Sequence, residues 1–384
     1  MRAPRSILIS AGETSGDFYA AQLVAELRRR WPECDFFGCA GQHMRAAGVR
    51  PVIRTEDLAV VGLVEVLAHI PRIYRRFREL VTAARKNKPD LAILTDSPDF
   101  HFRVAAKMKR LGVPVVYLVA PQVWAWRKGR VKTMRRIIDQ LLCIFPFEEQ
   151  FFRDHGVPVA YIGHPLATRV RPTLTREAFF RKHNLPLDRP LIAMLPGSRR
   201  SEAMRHLPDL IGAAELLVRD SEASFVLPAS ITCGAEFFRQ ALAGSRIQVI
   251  DGEAWDTLAH CDVALPASGT VTVEAALLGA PMVTYYRVTK TSWAIGRWLV
   301  DVPFFSMVNL IAGKRVVPEL IQADMTAERI AAEAGRLLHD PRERARMKTA
   351  LAGVAARLAG DGVDAMIRAA DEVEIVVEKH FEKH

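Results

Sequence analysis

The chain has 384 residues, 50% of them hydrophobic and 25% charged, so it carries enough apolar material for a packed core and exceeds the usual size of a single domain. Its formal net charge of +10 indicates an anionic partner and leaves nucleic acid, phospholipid and phosphorylated metabolites open. The five cysteines form no CxxC pair, which argues against a zinc site and a disulfide framework and favours reduced thiols in a cytoplasmic protein.

The first predicted elements are a strand, a loop and a helix. The apolar run SILIS (6–10) ends at the loop AGETSGD, and apolar residues recur at helical spacing from Asp17 onwards. The loop places Glu13 and Asp17 at the end of the strand, where acids and bases of α/β enzymes are found, although helix capping is the commoner role for either carboxylate. The small residues beside them, which we expect to contact substrate, are Gly12, Ser15 and Gly16.

No apolar run reaches the length of a membrane span. The run LAVVGLVEVLAHI is interrupted by Glu65 and His69 and falls short of the ~20 residues that a span needs. The apolar run at the N-terminus is too short for the core of a signal peptide. We therefore expect a cytoplasmic protein whose contact with a membrane is peripheral.

A basic amphipathic helix is predicted over 70–81. Such a helix can lie in a lipid interface with its cations against anionic headgroups. The alternative, common in soluble proteins, is an apolar face packed on the sheet beneath a solvated basic face. The positions that define the pattern are the apolar Ile70, Ile73, Tyr74, Phe77 and Val81 and the cationic Arg72, Arg75, Arg76 and Arg78.

Two further apolar runs, LAILT (91–95) and VPVVYLVAP (113–121), predict strands of the same sheet. The loop DSPDF after the first of them adds Asp96 and Asp99 to the strand-end carboxylates. A sugar hydroxyl needs a general base when it attacks an anomeric carbon, and any of these strand-end carboxylates could serve. Turn formation or helix capping is the commoner role for each one taken alone.

Two tryptophans follow the next strand. Trp124 and Trp126 of VWAW precede the cation-rich stretch RKGRVKTMRR (127–136). Tryptophans beside cations are typical of membrane interfaces, but they also stack on sugars or pack in cores.

A second α/β segment begins after a polar, proline-rich stretch that ends at Pro190. The strand LIAML (191–195) opens it, and SFVLP, RIQVI, DVALP and PMVTYY continue the alternation of strands and helices. Continuous apolar strands of this kind predict buried parallel sheets, so both halves read as doubly wound α/β units. Ligands of such units bind at the carboxyl ends of the strands.

Two turns of the second half are suited to phosphate. Gly197, Ser198 and Arg199 follow LIAML directly, and Arg offers a planar fork of donors to phosphate oxygens; an ordinary turn with a surface arginine fits equally well. The second turn opens the helical run TVTVEAALLG, whose first N–H groups bind anions and whose Glu274 could accept hydrogen bonds from ribose hydroxyls. Helix capping is its structural alternative. Together the two turns favour a nucleotide-diphosphate pocket, the second turn being Ser268, Gly269 and Thr270.

Other nucleotide and metal motifs are absent from the sequence. There is no GxxxxGK[ST] and no GxGxxG opening the first helix, which argues against a P-loop NTPase and weakens a dehydrogenase interpretation. No HExxH and no clustered metal ligands occur. We expect neither a metal nor a cofactor.

The motifs AGETSGD, VVGLVEVL, DSPDF, APQVWAW, FPFE, IGHP, LPGSR and ASGTVTVE occur together in one order. In this order the chain closely resembles the lipid-A-disaccharide synthase family, from about Ile7 to Val317 and beyond. The joint presence of AGETSGD and VWAWR is far more specific than any of these motifs alone.

The resemblance implies a metal-independent, inverting glycosyltransferase of the GT-B architecture, with two doubly wound Rossmann-like domains facing a cleft. It implies transfer from UDP-2,3-diacylglucosamine to 2,3-diacylglucosamine 1-phosphate (lipid X), with release of UDP, in the lipid A and lipopolysaccharide biosynthesis of Gram-negative bacteria. The expected partners are these two lipids and the anionic surface of the inner membrane, with no nucleic acid. The oligomeric state stays open, a homodimer being one option.

The resemblance also implies a division of labour. Residues 1–165 form an acceptor- and membrane-facing domain, 166–350 a UDP-sugar domain, and 351–384 C-terminal helices for which a return to the first domain is one option. The DSPDF carboxylates supply the base, Arg199 and the SGT turn hold the diphosphate, Glu274 contacts the nucleoside, and Asn309 belongs to the donor pocket. Thr168 stands where many relatives have an acid, so we expect no catalytic role there.

Rival functions remain open at this point. One is another GT-B enzyme, such as a UDP-sugar 2-epimerase or a muramyl-type transferase with a different lipid acceptor. The other is a non-catalytic peripheral protein that binds anionic lipid or nucleic acid through its basic clusters. The second rival predicts binding without turnover and leaves the strand-end carboxylates unexplained.

Overall fold

Apolar strands that alternate with helices build parallel sheets in two units of the chain. A computed structural model describes residues 3–58 and 63–382, except the side chains at 63–69, 295, 297 and 299. Unit 1 comprises Met1–Pro165 and Leu358–His384, and unit 2 comprises Leu166–Arg357. None of the helices within the described ranges is long and apolar enough to cross a bilayer. The predicted α/β class with parallel sheets is confirmed.

Unit 1 is built on a seven-stranded sheet in the order β3-β2-β1-β4-β5-β6-β7. All neighbouring strands pair in parallel. The order reverses between β1 and β4, where Ala11 pairs with Thr95, so this sheet has a topological switch point at the carboxyl ends of these two strands. The strands are β1 (Ser6–Ala11), β2 (Asp35–Ala40), β3 (Arg50–Arg54), β4 (Leu91–Thr95), β5 (Val115–Leu118), β6 (Gln140–Cys143) and β7 (Val159–Tyr161).

Helices connect these strands, because parallel neighbours must be joined by crossover connections. The central strands are continuous apolar runs because helices cover them; every residue of β4 and β5, for example, is buried. The helices are α1 (Thr14–Arg30), α2 (Gln42–Ala46), α3 (Leu63–Asn87), α4 (Pro98–Arg110), α5 (Val123–Trp126), α6 (Val131–Ile137) and α7 (Pro146–Asp154).

The predicted basic helix over 70–81 is the middle of α3, which continues through Pro71. The helix is longer at both ends than the sequence predicted, and it accommodates Pro71 in its interior. Residues 60–62 of the VVGLVEVL motif lie outside the described residues.

Unit 2 contains a four-stranded parallel sheet in the order β10-β9-β8-β11 and a separate pair, β12-β13. Single bridges at Ala264–Met282 and Ala267–Tyr285 set the segment of β12 beside β11. The order reverses at β8, where Leu195 pairs with Pro266 of β11. The strands are β8 (Leu191–Leu195), β9 (Ser224–Ala229), β10 (Ile247–Asp251), β11 (Val263–Pro266), β12 (Thr284–Tyr286) and β13 (Glu319–Ile321).

The remaining helices cover this second sheet and complete unit 1. The last helix belongs to unit 1, where it packs on α1 and on the sheet at β5 and β6. The helices are α8 (Arg176–Lys182), α9 (Arg200–Asp220), α10 (Ala235–Ala241), α11 (Ala254–His260), α12 (Thr270–Leu277), α13 (Lys290–Leu299), α14 (Met307–Ala312), α15 (Ala327–His339), α16 (Pro341–Ala359) and α17 (Ala365–Phe381).

Candidate active site

A left-handed turn lies at the carboxyl end of β4, at the switch point of the unit 1 sheet. Asp96 has φ of 53° and Ser97 has φ of 36°, a backbone region that non-glycine residues rarely adopt. Each such residue costs of the order of 1–3 kcal/mol, so surrounding contacts must hold the turn. Consecutive strain of this kind at a switch point marks the loop as a functional candidate.

The carboxylate of Asp96 lies against the loop that follows β1. Its Oδ1 accepts a hydrogen bond from Gly12 N at 2.7 Å, and its Oδ2 accepts one from Glu13 N at 3.1 Å. The approach is possible because two residues lack a side chain: a Cβ on Gly16 would come within 1.8 Å of Asp96 Oδ2, and a Cβ on Gly12 within 2.3 Å of Ser97 Oγ. The glycines of AGETSGD therefore make room for Asp96.

Burial raises the pKa of Asp96 to about 7, and the nearby charge of Glu13 acts in the same direction. The hydrogen bonds from Gly12 and Glu13 favour the ionised form and limit the rise. A carboxyl group with a pKa near neutrality exchanges protons readily at physiological pH, as a general base must.

Asp99 differs from Asp96 in its exposure, in its ion pairs and in the direction of its pKa shift. Its side chain is 68% exposed and forms ion pairs with Arg127, at 3.3 Å, and with Arg130. Partial burial favours the neutral form, but the hydrogen bond and charge of Arg130, with help from Arg127, outweigh it and lower the pKa of Asp99. The two DSPDF carboxylates, which the sequence left as alternatives, therefore have opposite electrostatic settings.

The two carboxylates of AGETSGD also separate. Asp17 is 1% exposed and accepts backbone hydrogen bonds from Gly41 at 2.7 Å, His43 at 2.8 Å and Met44 at 3.2 Å. This geometry disfavours the predicted catalytic role of Asp17, because its side chain is closed to a substrate and holds the start of α2. Glu13 is exposed at the N-cap position of α1, and Ser15 is exposed in the first turn of that helix.

The PGSR turn occupies the equivalent position in unit 2. Gly197 has φ of 117°, and a Cβ there would come within 2.5 Å of Glu202 Oε2. Ser198 and Arg199 follow it on the surface, with Arg199 at the N-cap of α9. The carbonyl oxygen of Ser198 accepts a hydrogen bond from the Cys233 thiol at 3.3 Å.

The SGT turn lies at the carboxyl end of β11, the strand beside β8. Ser268 donates its hydroxyl to Phe305 O at 2.8 Å, so this hydroxyl braces a neighbouring loop. Gly269 and Thr270 are exposed at the start of α12. Because Leu195 and Pro266 are paired, the PGSR and SGT turns leave adjacent strands at the same edge of the sheet, as a two-part anion site requires.

Glu274 lies within α12 and is held by a tryptophan. Its Oε2 accepts a hydrogen bond from Trp255 Nε1 at 2.8 Å, which leaves Oε1 without a partner within the described part of the chain. Burial raises the pKa of Glu274, and the indole bond opposes that rise. The free oxygen is compatible with the predicted contact to a nucleoside.

Asn309 does not match its predicted place in the donor pocket. The residue is fully buried, its Oδ1 accepts hydrogen bonds from Val316 N and Val317 N, and its Nδ2 donates to Val317 O and to Glu319 Oε1. All four of its amide hydrogen bonds are thus made within the protein. Asn309 ties α14 to β13, and it can act on a ligand only through the loop that it holds.

The predicted apolar stripe of the basic helix is partly packed and partly exposed. Phe77 turns toward Phe100, with ring centroids 6.2 Å apart, and Ile73 is half-buried. Among the described side chains of this helix, the exposed apolar ones are Ile70 and Tyr74, at 51% and 59%. All four residues lie on one side of the helix, as their spacing predicts, but the edge with Ile70 and Tyr74 faces outwards while Phe77 packs on α4.

The arginines of this helix are partly neutralised. Arg72 and Arg76 pair with Asp57 at 3.3 and 3.2 Å, and Arg75 lies 3.8 Å from Glu79. Exposed ion pairs of this kind contribute little to stability, so these cations stay available to an anionic surface.

The two tryptophans of VWAW have separate environments. Trp124 is 8% exposed and donates its indole N–H to Glu148 Oε1 at 3.0 Å, so its predicted place at a membrane or acceptor surface is wrong for this structure. Trp126 is 46% exposed, and the guanidinium of Arg127 stacks 4.0 Å from its ring centroid. Only Trp126 is available to an external ligand.

Several buried polar residues near these sites were missed from the sequence. Ser10, His101 and Tyr117 surround the main chain of Asp96, and Trp255 orients Glu274. Ser10 and Tyr117 lie in strands and read as ordinary core positions. The one available signal was His101, a titratable residue five positions after Asp96 in a helix that is otherwise apolar on that face. Among the described residues, no group of three His, Cys, Asp or Glu side chains is arranged to hold a metal ion.

Comparison with known proteins places the chain in a family. A family model described as lipid-A-disaccharide synthetase matches residues 7–358. A lipid-A-disaccharide synthase of Solibacter usitatus is 62% identical over 92% of this chain and 93% of its own length. A lipid-A-disaccharide synthase of Myxococcus xanthus is 43% identical over 97% of this chain and 98% of its own length.

Solved structures share the fold at low identity. A putative UDP-N-acetylglucosamine 2-epimerase from Listeria monocytogenes aligns with a TM-score of 0.65 at 16% identity, covering 100% of this chain and 98% of its own. The glycotransferase of kitacinnamycin aligns with a TM-score of 0.65 at 17% identity, covering 98% and 100%. These neighbours are GT-B glycosyltransferases and epimerases. The chain therefore belongs to the lipid-A-disaccharide synthase family and has the GT-B glycosyltransferase fold.

Proposed function

We propose that this enzyme transfers a 2,3-diacylglucosaminyl group from UDP to the 6-hydroxyl of 2,3-diacylglucosamine 1-phosphate. Family membership supports the reaction, and the setting of Asp96 supports the chemistry. The observation that carries the proposal is a buried carboxyl group at the switch point of unit 1, with a pKa of about 7.

In the proposed reaction, Asp96 is the general base. The 6-hydroxyl of the acceptor passes its proton to the Asp96 carboxylate as its oxygen attacks the anomeric carbon from the face opposite UDP. The bond between that carbon and the β-phosphate oxygen breaks, and its electron pair leaves on UDP. One glycosidic bond forms, one glycosyl phosphate bond breaks, and the anomeric configuration inverts.

Unit 2 would stabilise the departing UDP. Negative charge grows on the β-phosphate as the bond breaks, and it can be met by the Arg199 guanidinium together with the backbone N–H groups that open α12. Glu274 would accept a hydrogen bond from the nucleoside through its Oε1. Asp99, paired with Arg127 and Arg130, would hold these two cations near the acceptor-binding loops rather than take the proton.

The lipid substrates require access to a membrane surface. We propose that the exposed face of α3, with Ile70, Tyr74 and its arginines, rests against an anionic bilayer at the inner membrane. Exposed apolar side chains flanked by cations are the features of an interfacial helix. Trp126 and Arg127 would add to the same contact.

The test is an acceptor-dependent assay with UDP-2,3-diacylglucosamine as donor. We expect UDP and a β-1,6-linked disaccharide in equal amounts, only when the acceptor is present. A 2-epimerase would alter the donor without acceptor, and release of UDP without disaccharide would overturn the proposal.

The assignment of the base is tested by two matched substitutions. Asp96→Asn is expected to lower kcat by roughly 10²–10⁴-fold, the range for loss of a general base. Asp99→Asn removes an exposed ion pair and is expected to act mainly on the KM of the acceptor. The reverse ranking of the two kcat values would transfer the base assignment to Asp99.

A further inference from the structure

Two buried side chains reach the main-chain carbonyl of Asp96, and a third contacts one of them. Ser10 Oγ lies 2.7 Å from His101 Nε2, His101 Nδ1 lies 3.0 Å from Asp96 O, and Tyr117 Oη lies 2.5 Å from the same oxygen. Ser10, His101 and Tyr117 are fully buried, so no substrate can reach them. The proposed transfer step assigns no role to any of the three.

The direction of each hydrogen bond follows from the chemistry of its partners. A carbonyl oxygen only accepts, so Nδ1 of His101 carries the proton and Nε2 accepts from the Ser10 hydroxyl. Burial lowers the pKa of His101 to about 4, which keeps the ring neutral at physiological pH, as this single tautomer requires. Tyr117 donates the second hydrogen bond, so both lone pairs of the Asp96 carbonyl are engaged.

This carbonyl is the pivot of the strained turn. Asp96 and Ser97 both have left-handed φ values, and rotation of the peptide between them would change ψ of Asp96 and relieve the φ of Ser97. Two donors on the carbonyl oppose that rotation. The same turn aims the Asp96 carboxylate at Gly12 N and Glu13 N, so releasing the carbonyl would also loosen the carboxylate.

We infer that Ser10, His101 and Tyr117 are positioning residues, which hold the backbone of Asp96 in its left-handed conformation and thereby fix the direction of its carboxylate. The inference rests on the proposed role of Asp96 as the base. These residues act through Asp96 and do not touch the reacting atoms.

The experiment compares His101→Phe and Tyr117→Phe with Tyr161→Phe. Each change keeps an aromatic ring and removes hydrogen bonds to main-chain carbonyls. Tyr161 is a matched control in unit 1, since its hydroxyl also donates to a main-chain carbonyl, Leu358 O, at 3.0 Å. It lies in β7, an edge strand of the sheet that is separated from β4 by two strands. The kcat, the KM of each substrate, the pH profile of kcat and the melting temperature are measured for all three and for the native chain.

We expect His101→Phe and Tyr117→Phe to lower kcat by about tenfold, since misplacing a catalytic group by a fraction of an ångström has effects of this order. The ascending limb of the pH profile should move to higher pH, because a loosened carboxylate loses the N–H donors that favour its ionised form. The KM of the UDP-sugar should stay within twofold, on the order of experimental error. Tyr161→Phe should have a lower melting temperature with an unchanged kcat and pH profile.

Two results would overturn the inference. In the first, Tyr117→Phe and Tyr161→Phe, compared at the same folded fraction, have the same kcat and the same ascending limb of the pH profile. The other is a loss in His101→Phe confined to stability. If Asp96 is not the base, Asp96→Asn keeps its turnover, which distinguishes that failure from the failure of the positioning inference. The positioning inference alone fails if Asp96→Asn is inactive while His101→Phe and Tyr117→Phe behave like the native chain.

Discussion

At the scale of single residues, burial and neighbouring charges give two carboxyl groups of one loop opposite pKa shifts. Asp96 and Asp99 lie three positions apart in one loop, yet one has a raised pKa and the other a lowered one. The difference arises from the two arginines beside Asp99 and the closed environment of Asp96. No property of the string DSPDF distinguishes them, because the arginines come from a segment almost thirty residues later.

The first prediction at this scale concerns the pH dependence of catalysis. Asp96 must be ionised to accept a proton, so kcat should rise with pH through an ascending limb near its raised pKa of about 7. A kcat–pH profile between pH 5 and 9 at saturating substrates measures it. Asp99→Asn should leave this limb in place, and a limb near pH 4 in the native enzyme would contradict the assignment.

The second prediction concerns stability and Glu148. Burial raises the pKa of Glu148 to about 8, above the ordinary carboxyl value, against hydrogen bonds from Trp124 and from the backbone. The folded state therefore binds an extra proton at Glu148. The contribution of this proton to the free energy of unfolding is fully present below about pH 4.5, and it is lost as pH rises through about 8, by up to a few kcal/mol.

Replacing Glu148 by its neutral isostere tests this directly. Glu148→Gln should flatten the dependence of the unfolding free energy on pH between 5 and 9, measured by urea denaturation. Glu149→Gln is the control, because Glu149 is a neighbour whose carboxylate is engaged in a surface pair with Arg153. Equal pH dependence in the native chain and Glu148→Gln would rule out the protonated carboxyl group.

At the scale of elements, the ends of strands explain why the sites lie where they do. The candidate site residues of unit 1 follow β1 and β4, and those of unit 2 follow β8 and β11. Each pair of strands flanks the point where its sheet reverses order. Two loops from adjacent parallel strands meet at one edge, so residues remote in sequence become neighbours.

The prediction for α9 uses two consecutive arginines. Arg199 is exposed at the N-cap of α9, whereas Arg200 is engaged with Cys233 O at 3.2 Å and with the ring of Phe237. Arg199→Ala should lower kcat by about a hundredfold, or roughly 3 kcal/mol of transition-state stabilisation, and Arg199→Lys should recover part of it. Arg200→Ala is the control for a lost charge. Equal rates for the two alanine variants would remove Arg199 from the site.

The prediction for α3 concerns the membrane. Ile70→Ser together with Tyr74→Ser should weaken binding to vesicles that contain anionic phospholipid by roughly tenfold, because each side chain loses apolar area that the interface would bury. Leu111→Ser, which changes an exposed leucine elsewhere in unit 1, should leave binding unchanged. Cosedimentation measures both. A matching loss in Leu111→Ser would point to general hydrophobic adhesion.

The whole molecule shows how far sequence patterns reach. The alternation of apolar runs and helical periodicity predicted parallel α/β sheets, since buried strands must be apolar on both faces. The motifs predicted the family, which is confirmed. Hydrogen-bond partners and burial were beyond the pattern. Asp17 binds backbone N–H groups, Asn309 binds backbone groups and Glu319, and Trp124 is buried. The apolar stripe of α3 is exposed at Ile70 and Tyr74 and packed at Phe77. Such assignments depend on tertiary contacts between distant segments.

Unit 1 is assembled from two stretches of chain that are separated by the whole of unit 2. α17 buries an apolar face against α1 and the sheet, and Arg30 of α1 pairs with Asp371 at 2.6 Å and with Glu374 at 2.9 Å. During synthesis, the first 165 residues leave the ribosome long before α17 exists.

The nascent first unit must therefore wait with an uncovered apolar surface until residues 365–381 have emerged. A chain that stops at residue 357 should bind a hydrophobic dye and be cleaved by protease within unit 1, while adding a peptide of residues 358–384 should reduce both signals. Unchanged protease resistance without α17 would contradict this order of events. For this enzyme the delay means that unit 1, which carries Asp96, is completed only after the whole of unit 2 has been synthesised.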